Sequence, residues 1–127
     1  MNRLLLDSNT IVWWDDGSVE LGVAARKTIQ DAEAVYVSAA SEWELSIKAA
    51  LSKIVLRRSI LEATIAAGFE SLPISFQHAQ AVRELKPIHK DPFDRMLVAV
   101  AMVERLALVS SDPVFAEYPI SFIDARS

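Results

Sequence analysis

The chain has 127 residues and a formal net charge of −4 at pH 7, and a chain of this length is expected to form one domain, residues 1–127. It contains no cysteine, which excludes disulfides, thiolate zinc sites and cysteine nucleophiles. The negative charge disfavours a passive nucleic-acid binder, although an enzyme that meets phosphate through bound cations escapes that objection.

Short apolar strands alternate with helical segments along the chain. The third strand is weakened by Pro73, which cannot donate a hydrogen bond to a neighbouring strand. This alternation predicts a three-layer α/β/α fold with a central, mainly parallel sheet of about four to five short strands. The predicted strands are residues 4–6, 34–37, 72–74, 107–109 and 121–123. The predicted helices are residues 9–14, 21–31, from Ser38 or Ser41 to 51, 60–69, 76–85 and 92–106, with a helical turn at 114–117.

The apolar segments are too short to cross a membrane. The longest uninterrupted apolar run extends from Met96 to Val103, well short of the roughly 20 residues that span a bilayer. Near the amino end, the leucines at 4–6 are followed at once by Asp7, so no signal-peptide core develops. We therefore expect a chain that begins at Met1, acts in the cytoplasm and does not contact a membrane.

Two of the predicted strands are followed by an aspartate, Asp7 after the first and Asp112 after the strand at 107–109. In an open parallel sheet, ligands bind beyond the carboxyl ends of the strands, so both side chains should face the functional edge. Each could instead be an ordinary turn aspartate. The neighbouring hydroxyls that could orient these acids are Ser8, Thr10, Ser110 and Ser111.

Two further acids lie near predicted helix starts. Asp94 falls in the first turn of a helix that is apolar nearly all round, where an unpaired ion is costly to bury. Asp91, directly before Pro92, fits the N-cap of the same helix. Glu44 lies three residues before Ile47 and seven before Leu51, which indicates the buried margin of its helix.

The spacing of Ser41 and Glu44 also matches a capping box, so a helix cap is the alternative role for Glu44. Glu42 aligns with polar positions and is expected to be solvated. If the acids at 7, 44, 94 and 112 meet at one sheet edge, they repel one another unless a divalent cation holds them together. Oxygen-ligated metal chemistry is therefore the leading interpretation of Asp7, Glu44, Asp94 and Asp112.

The remaining polar residues favour structural roles. His78 and His89 do not form a paired ligand set, so we expect surface or helix-cap positions for both. Trp13 and Trp14 cannot share a helix face, which places one in the core and leaves the other for a protein interface. Asp15 and Asp16 are expected in a turn or at the surface. Lys48, Lys53, Arg57 and Arg58 form a basic stretch that predicts a solvated face able to steer a phosphate chain.

Four segments of the chain are distinctive in their order and spacing: residues 4–9, 37–48, 89–97 and 108–112. In this order and spacing they resemble the PIN-domain proteins of the VapC toxin type. The resemblance covers essentially the full length, and its most specific parts are residues 91–95 and the helix with Trp43 and Glu44. The chain departs from the family at Ser52 and Arg105, two loop positions where glycine is usual.

The resemblance implies a metal-dependent endoribonuclease that hydrolyses phosphodiester bonds in RNA. It implies one or two Mg²⁺ or Mn²⁺ ions, a small antitoxin protein that restrains the toxin, and a homodimer. By resemblance, Asp91 is an additional acid of the site. Ser8 and Ser111, the hydroxyls next to Asp7 and Asp112, are the candidate supporting residues. The catalytic and metal-binding positions are Asp7, Glu44, Asp94 and Asp112.

Three alternatives stay open at this point. A haloacid-dehalogenase-like phosphatase also begins with a strand that ends in aspartate, but it needs a second acid where this chain has Asn9. A receiver-type signalling domain needs an acidic pair and a strand-end lysine, and neither is apparent here. In a non-catalytic α/β binding domain, the acids would be caps and turns. Metal-dependent cleavage of RNA distinguishes these possibilities.

Overall fold

A five-stranded sheet lies between two layers of helices, which confirms the predicted α/β/α fold. The computed structural model describes residues 2–127, and Met1, where we expect the chain to begin, lies outside them. The strands in this range are β1 (Arg3–Leu6), β2 (Ala34–Ser38), β3 (Glu70–Leu72), β4 (Ala107–Ser110) and β5 (Phe122–Asp124). The helices are α1 (Ser8–Asp16), α2 (Val23–Asp31), α3 (Ala39–Ala50), α4 (Ile60–Ala66), α5 (Phe76–Ala81) and α6 (Pro92–Glu104), with 3-10 helices at Val82–Glu84 and Pro113–Glu117.

The order of the strands creates a crevice at one edge of the sheet. The order is β3-β2-β1-β4-β5, and all neighbouring strands are parallel. The chain first winds outward from β1 to β3, then crosses to β4 and β5 on the other side of β1. The winding therefore reverses between β1 and β4, and sheets of this kind bind ligands beyond the carboxyl ends of the strands at that point.

The side chains of β1 alternate between the two faces of the sheet. Leu4 and Leu6 pack with residues of α1, α2 and α4, whereas Leu5 packs with residues of α6. Residues 97–101 of α6 are each at most 1% exposed, as the apolar sequence of this helix predicts. The first turn of α6 is therefore fixed against the core. No helix within residues 2–127 has the length and apolar character needed to cross a membrane.

Local residue types determine where several elements begin and end. Ser38 caps α3 by accepting a hydrogen bond from the backbone of Ala40. Ser59 caps α4 in a capping box with Glu62, as its place before the helix predicts. The third strand is a short edge strand, but it covers Glu70–Leu72, so the predicted bounds of 72–74 are wrong beyond Leu72, because Pro73 lacks the N–H that a paired residue donates.

Both positions at which the chain departs from the glycine of the resembling family have a left-handed backbone. The φ angle is 56° at Ser52 and 56° at Arg105, a region that residues with a Cβ rarely adopt. Ser52 lies in the turn after α3, and Arg105 ends α6. The backbone therefore retains the conformation that glycine favours, although neither residue is glycine.

Candidate active site

A crevice of about 210 Å³ opens beyond the carboxyl ends of β1 and β4. The four acids predicted from the sequence all line it, although they come from distant parts of the chain. Asp7 follows β1, Glu44 lies in α3, Asp94 in the first turn of α6, and Asp112 follows β4. The other residues that line the crevice are Ser8, Asn9, Lys48, Asp91, Ser111 and Phe115.

Asp7 is buried and held in place by hydroxyl and backbone donors. Its Oδ1 accepts a hydrogen bond from the Thr10 backbone at 2.9 Å and lies 2.6 Å from Thr10 Oγ1. Burial raises the pKa of Asp7 above its usual range, these hydrogen bonds oppose the rise, and the charge of Glu44 adds to it. Asp7 therefore caps α1 and also faces the crevice.

Glu44 is fixed between a hydroxyl and an ammonium group. Ser8 Oγ donates a hydrogen bond to Glu44 Oε1 at 2.6 Å, and Lys48 Nζ lies 3.0 Å from Glu44 Oε2. Ser8 thus orients Glu44 rather than its sequence neighbour Asp7. Since Glu44 is mostly buried, both contacts restrict the direction in which its carboxylate faces the crevice.

The alternative role of Glu44 in a capping box is wrong. Ser38 is the cap residue of α3, and the Ser41 hydroxyl is buried without a hydrogen-bond partner in the described chain. Glu42 is also not simply solvated, because its carboxylate accepts weak hydrogen bonds, of 3.3 and 3.4 Å, from the first two backbone N–H groups of α4. Glu44 therefore does not cap α3.

The first turn of α6, which Asp91 caps, places Asp94 in the crevice. Asp91 Oδ1 accepts hydrogen bonds from the backbone of Phe93 at 2.8 Å and of Asp94 at 3.2 Å, which confirms the predicted N-cap. The pKa of Asp94 is raised to about 7, chiefly by burial and further by the charges of Asp91, Glu44 and Asp7. The charge of His89 opposes this rise. Like charges therefore crowd around Asp94.

His89 lies in this crowded region, so its prediction as a surface or cap residue is wrong. Its Nε2 is 2.9 Å from Asp112 Oδ2 and 3.4 Å from Asp94 Oδ2. Asp112 uses its other oxygen, Oδ1, to accept a hydrogen bond from Val114 at the start of a 3-10 helix. Sequence periodicity could not place His89, because it lies in a loop and its contact with Asp112 spans 23 residues.

His78 has the cap role that the sequence predicts, but in a buried position. Its Nδ1 accepts a hydrogen bond from the Ser75 backbone in a capping box at the start of α5. Its Nε2 lies 2.7 Å from Glu104 Oε2. Both ring nitrogens of His78 are therefore engaged in holding the fold.

The predicted basic face is divided between two places. Lys48 lies at the crevice, whereas Arg57 and Arg58 form ion pairs with Asp15 near the end of α1. Arg58 Nε donates to Asp15 Oδ1 at 3.0 Å, and this contact with the guanidinium holds the pKa of Asp15 below its usual range. Asp15 is thus a paired acid and not a turn residue. Asp16 is exposed, as predicted.

The tryptophans do not follow the predicted division into one core and one interface residue. Trp14 packs on Phe69 with ring centroids 5.3 Å apart, Trp13 lies under the Arg126 guanidinium, and both indoles are half-buried. The exposed tryptophan is Trp43, which is 58% exposed. The sequence therefore assigned the role of exposed aromatic to the wrong pair.

Comparison with known proteins identifies the family of the chain. Ribonuclease VapC22 of Mycobacterium tuberculosis is 28% identical in an alignment that covers 88% of each chain. The structure of VapBC2 from Rickettsia felis, bound to a DNA fragment from their promoter, is similar with a TM-score of 0.71 at 15% identity, covering 96% of this chain and 98% of that one. DNA-bound VapBC from Salmonella typhimurium gives a TM-score of 0.67 at 20% identity, covering 98% of both.

At such identities the solved structures show a common fold and no more. The model of the PIN domain family, however, matches residues 4–120, which include all of β1 but its first residue, the strands β2 to β4 and all four acids of the crevice. The chain therefore belongs to the PIN domain family.

Proposed function

We propose that the chain is an endoribonuclease that hydrolyses phosphodiester bonds in RNA and depends on Mg²⁺ or Mn²⁺. The observation that carries this proposal is the meeting of Asp7, Glu44, Asp94 and Asp112 in one crevice at the reversal point of the sheet. The similarity to Ribonuclease VapC22 supports RNA as the substrate.

The donor set of the crevice fits a hard divalent cation. Its carboxylate oxygens are the ligand type that Mg²⁺ and Mn²⁺ prefer. Burial raises the pKa values of Asp7 and Asp94, and the charge of Glu44 adds to both rises, because neighbouring carboxylates repel one another. A cation of charge +2 among them removes this repulsion. We therefore assign Asp7, Glu44, Asp94 and Asp112 as the groups that hold one or two such ions.

When bound, a divalent cation supplies stabilisation of the charge on the phosphate and activation of the attacking water. The chain itself keeps the carboxylates oriented: Ser8 fixes Glu44, and the N-cap at Asp91 fixes the helical turn with Asp94. Lys48 Nζ, half-exposed beside Glu44, can pair with a phosphate oxygen of the RNA. In this mechanism no side chain acts as the nucleophile.

Membership of the PIN domain family disfavours the phosphatase and receiver alternatives, so a non-catalytic PIN domain is the competing interpretation. The test is incubation of the purified protein with total RNA, a DNA duplex and a small phosphomonoester, each with Mg²⁺, Mn²⁺ or chelator. We expect cleavage of RNA alone, and its loss in chelator. Absence of cleavage by folded, metal-loaded protein would favour the non-catalytic domain, and chelator-insensitive cleavage would contradict metal dependence.

We further propose that the chain is the toxin of a toxin–antitoxin pair and acts in the cytoplasm as a homodimer. Several similar structures are VapBC or toxin–antitoxin complexes. An apolar groove of about 380 Å³ lies beyond β2 and β3, at the same edge of the sheet as the crevice. An apolar segment of a small antitoxin fits such a groove. The groove is lined in part by Val37, Ile60, Leu61, Leu72 and Pro73.

Expression of the chain alone should arrest growth, whereas its Asp94→Asn variant should be tolerated. Co-expression with the product of an adjacent small gene should restore growth and yield a stable complex, whose mass also tests for the homodimer. If the wild type and the variant are equally harmless although both accumulate as folded protein, the toxin role is wrong. The nuclease proposal would then stand on the RNA assay alone.

A further inference from the structure

We propose that His89 is a direct ligand of the metal, so that the centre combines an imidazole nitrogen with carboxylate oxygens and binds Mn²⁺ in preference to Mg²⁺. This inference rests on the proposed function, because it concerns the same metal centre. The partners of His89 in this set are Asp94 and Asp112.

The geometry places a single nitrogen opposite two carboxylate oxygens. His89 Nε2 is 2.9 Å from Asp112 Oδ2 and 3.4 Å from Asp94 Oδ2, and the three ligand atoms all lie within 4.8 Å of one another. Adjacent ligands of an octahedral ion, each about 2.1 Å from the metal, are about 3 Å apart. The two distances from His89 Nε2 are thus close to the spacing of adjacent ligands of such an ion.

The loop before α6 holds the imidazole in this position through three separate contacts. The His89 backbone N–H donates to the Tyr118 hydroxyl at 2.8 Å, and the His89 carbonyl accepts from Arg95 at 3.3 Å. The ring packs on Phe115 with centroids 5.1 Å apart, and the side chain is only 16% exposed. A ring held by its backbone and by one face is pre-organised for ligation.

His78, the other histidine of the chain, has a structural role and provides a contrast to His89. Both ring nitrogens of His78 are engaged, with Ser75 and with Glu104. In His89, by contrast, the hydrogen bonds of the ring within residues 2–127 all involve Nε2. Without a metal, Nε2 carries the proton that it donates to Asp112. When a cation takes the place of this hydrogen bond, the neutral ring keeps its proton on Nδ1 and offers the Nε2 lone pair, which is the tautomer that ligation at Nε2 requires.

A nitrogen ligand changes which ion the site prefers. Mg²⁺ takes oxygen ligands and retains several waters, whereas imidazole is a common ligand of divalent transition-metal ions. An all-carboxylate centre would discriminate little between Mg²⁺ and Mn²⁺. A centre that includes His89 should favour Mn²⁺, and loss of the imidazole should reduce Mn²⁺ affinity far more than Mg²⁺ affinity.

The test uses the full chain with Mn²⁺ alone and needs no catalysis. Pulsed electron paramagnetic resonance of the Mn²⁺-loaded wild type should show the nuclear modulation of a directly bound ¹⁴N, replaced by the ¹⁵N pattern when histidine is ¹⁵N-labelled. This signal should vanish in His89→Gln and persist in His78→Gln, the matched control. By calorimetry, His89→Gln should weaken Mn²⁺ binding about tenfold or more and Mg²⁺ binding less than about threefold.

The outcomes separate this inference from the proposal on which it rests. Mn²⁺ bound by the wild type without nitrogen modulation, or bound equally by His89→Gln, overturns the ligand role of His89 and leaves an oxygen-only metal centre intact. A wild type that binds neither ion contradicts the proposed function together with the inference. The labelled wild type decides the question even if a histidine variant fails to fold.

Discussion

An aspartate lies near each end of α1, and the two differ in the charges that surround them. Near the end of the helix, Asp15 is paired with Arg57 and Arg58, and contact with the Arg58 guanidinium lowers its pKa. At the start, Asp7 is buried near Glu44 and Asp94, and its pKa is raised although Thr10 donates hydrogen bonds to it. The same residue type thus has its charge balanced at one end of the helix and uncompensated at the other.

This difference distinguishes an acid whose charge is paired within the fold from the acids that we propose to bind a cation. A carboxylate kept for stability acquires a cationic partner, because an unpaired buried charge is costly. The acids of the crevice share one lysine among them, Lys48, which contacts Glu44. The uncompensated charge favours a site for a cation. Substitutions at the crevice and at Asp15 test this difference.

Activity should show the largest difference. Asp94→Asn should reduce metal-dependent RNA cleavage at least about 100-fold, because it removes a proposed metal ligand. Asp15→Asn should retain cleavage within about threefold, because its partners are arginines outside the crevice. Initial rates on one RNA, at saturating Mg²⁺ and with both variants shown to be folded, provide the measurement. Equal losses in both variants would mean that the crevice has no special role.

The second difference concerns how the free energy of unfolding depends on pH in the two variants. Without metal, folded Asp94 keeps its proton up to about pH 7, whereas the unfolded carboxyl loses it near pH 4. The folded state therefore binds more protons in this range, and the free energy of unfolding should fall as the pH rises from about 4 to 7, by on the order of 2–4 kcal/mol.

Asp94→Asn should flatten this fall and stabilise the metal-free protein at pH 8, whereas Asp15→Asn should leave the slope in place. Urea unfolding at pH 5 and pH 8 in chelator compares the three proteins. Saturating Mg²⁺ should restore stability to the wild type at pH 8, because a bound cation favours ionised carboxylates. If the free energy of unfolding of Asp94→Asn depends on pH as that of the wild type does, the uncompensated charge lies on groups other than Asp94.

Asp15→Asn should destabilise the protein to heat, whereas Asp94→Asn should stabilise the metal-free protein. Asp15→Asn should lower the Tm by about 2–6 °C at pH 7, since it leaves two arginines without their acid and the worth of such a pair is on the order of 1 kcal/mol. Calorimetric melting of the wild type and of Asp15→Asn in chelator tests this. An unchanged Tm would show that these ion pairs contribute nothing measurable to the fold.

A smaller effect is expected from the lysine at the crevice. Lys48→Gln removes a positive charge 3.0 Å from Glu44, so Mg²⁺ affinity should rise about two- to threefold at low ionic strength. Arg58→Gln is the matched control, since its charge is paired with Asp15, and it should leave Mg²⁺ affinity unchanged. Calorimetric titrations compare both variants with the wild type. A loss of affinity in Lys48→Gln would indicate that the lysine orients Glu44 rather than opposing the cation.

The sequence was sufficient for those parts of the structure that depend on neighbouring residues. Strand alternation predicted the sheet, and the acids that follow strands were correctly expected at its carboxyl edge. The caps at Ser59 and Asp91 followed from residues within the next turn. The metal-binding roles of the acids, the single domain and the homodimer stay predictions.

Contacts between distant segments were beyond the reach of the sequence. The pairing of Arg58 with Asp15 spans 43 residues, and that of His89 with Asp112 spans 23, so no periodic pattern connects either pair. The cap of α3 failed for a different reason. Two serines, Ser38 and Ser41, have hydroxyls suited to cap α3. Ser38 is the cap because β2 is paired with β3 up to this residue and the helix begins directly after it.

The central claim is that the crevice at the reversal point of the sheet holds a divalent cation, and diffraction from crystals soaked in Mn²⁺ tests it most directly. The anomalous difference map should contain a strong peak bordered by the carboxyl groups of Asp7, Asp94 and Asp112. The Asp15 region should show none, because arginines already balance that acid. A map without a peak in the crevice at saturating Mn²⁺ would contradict the account.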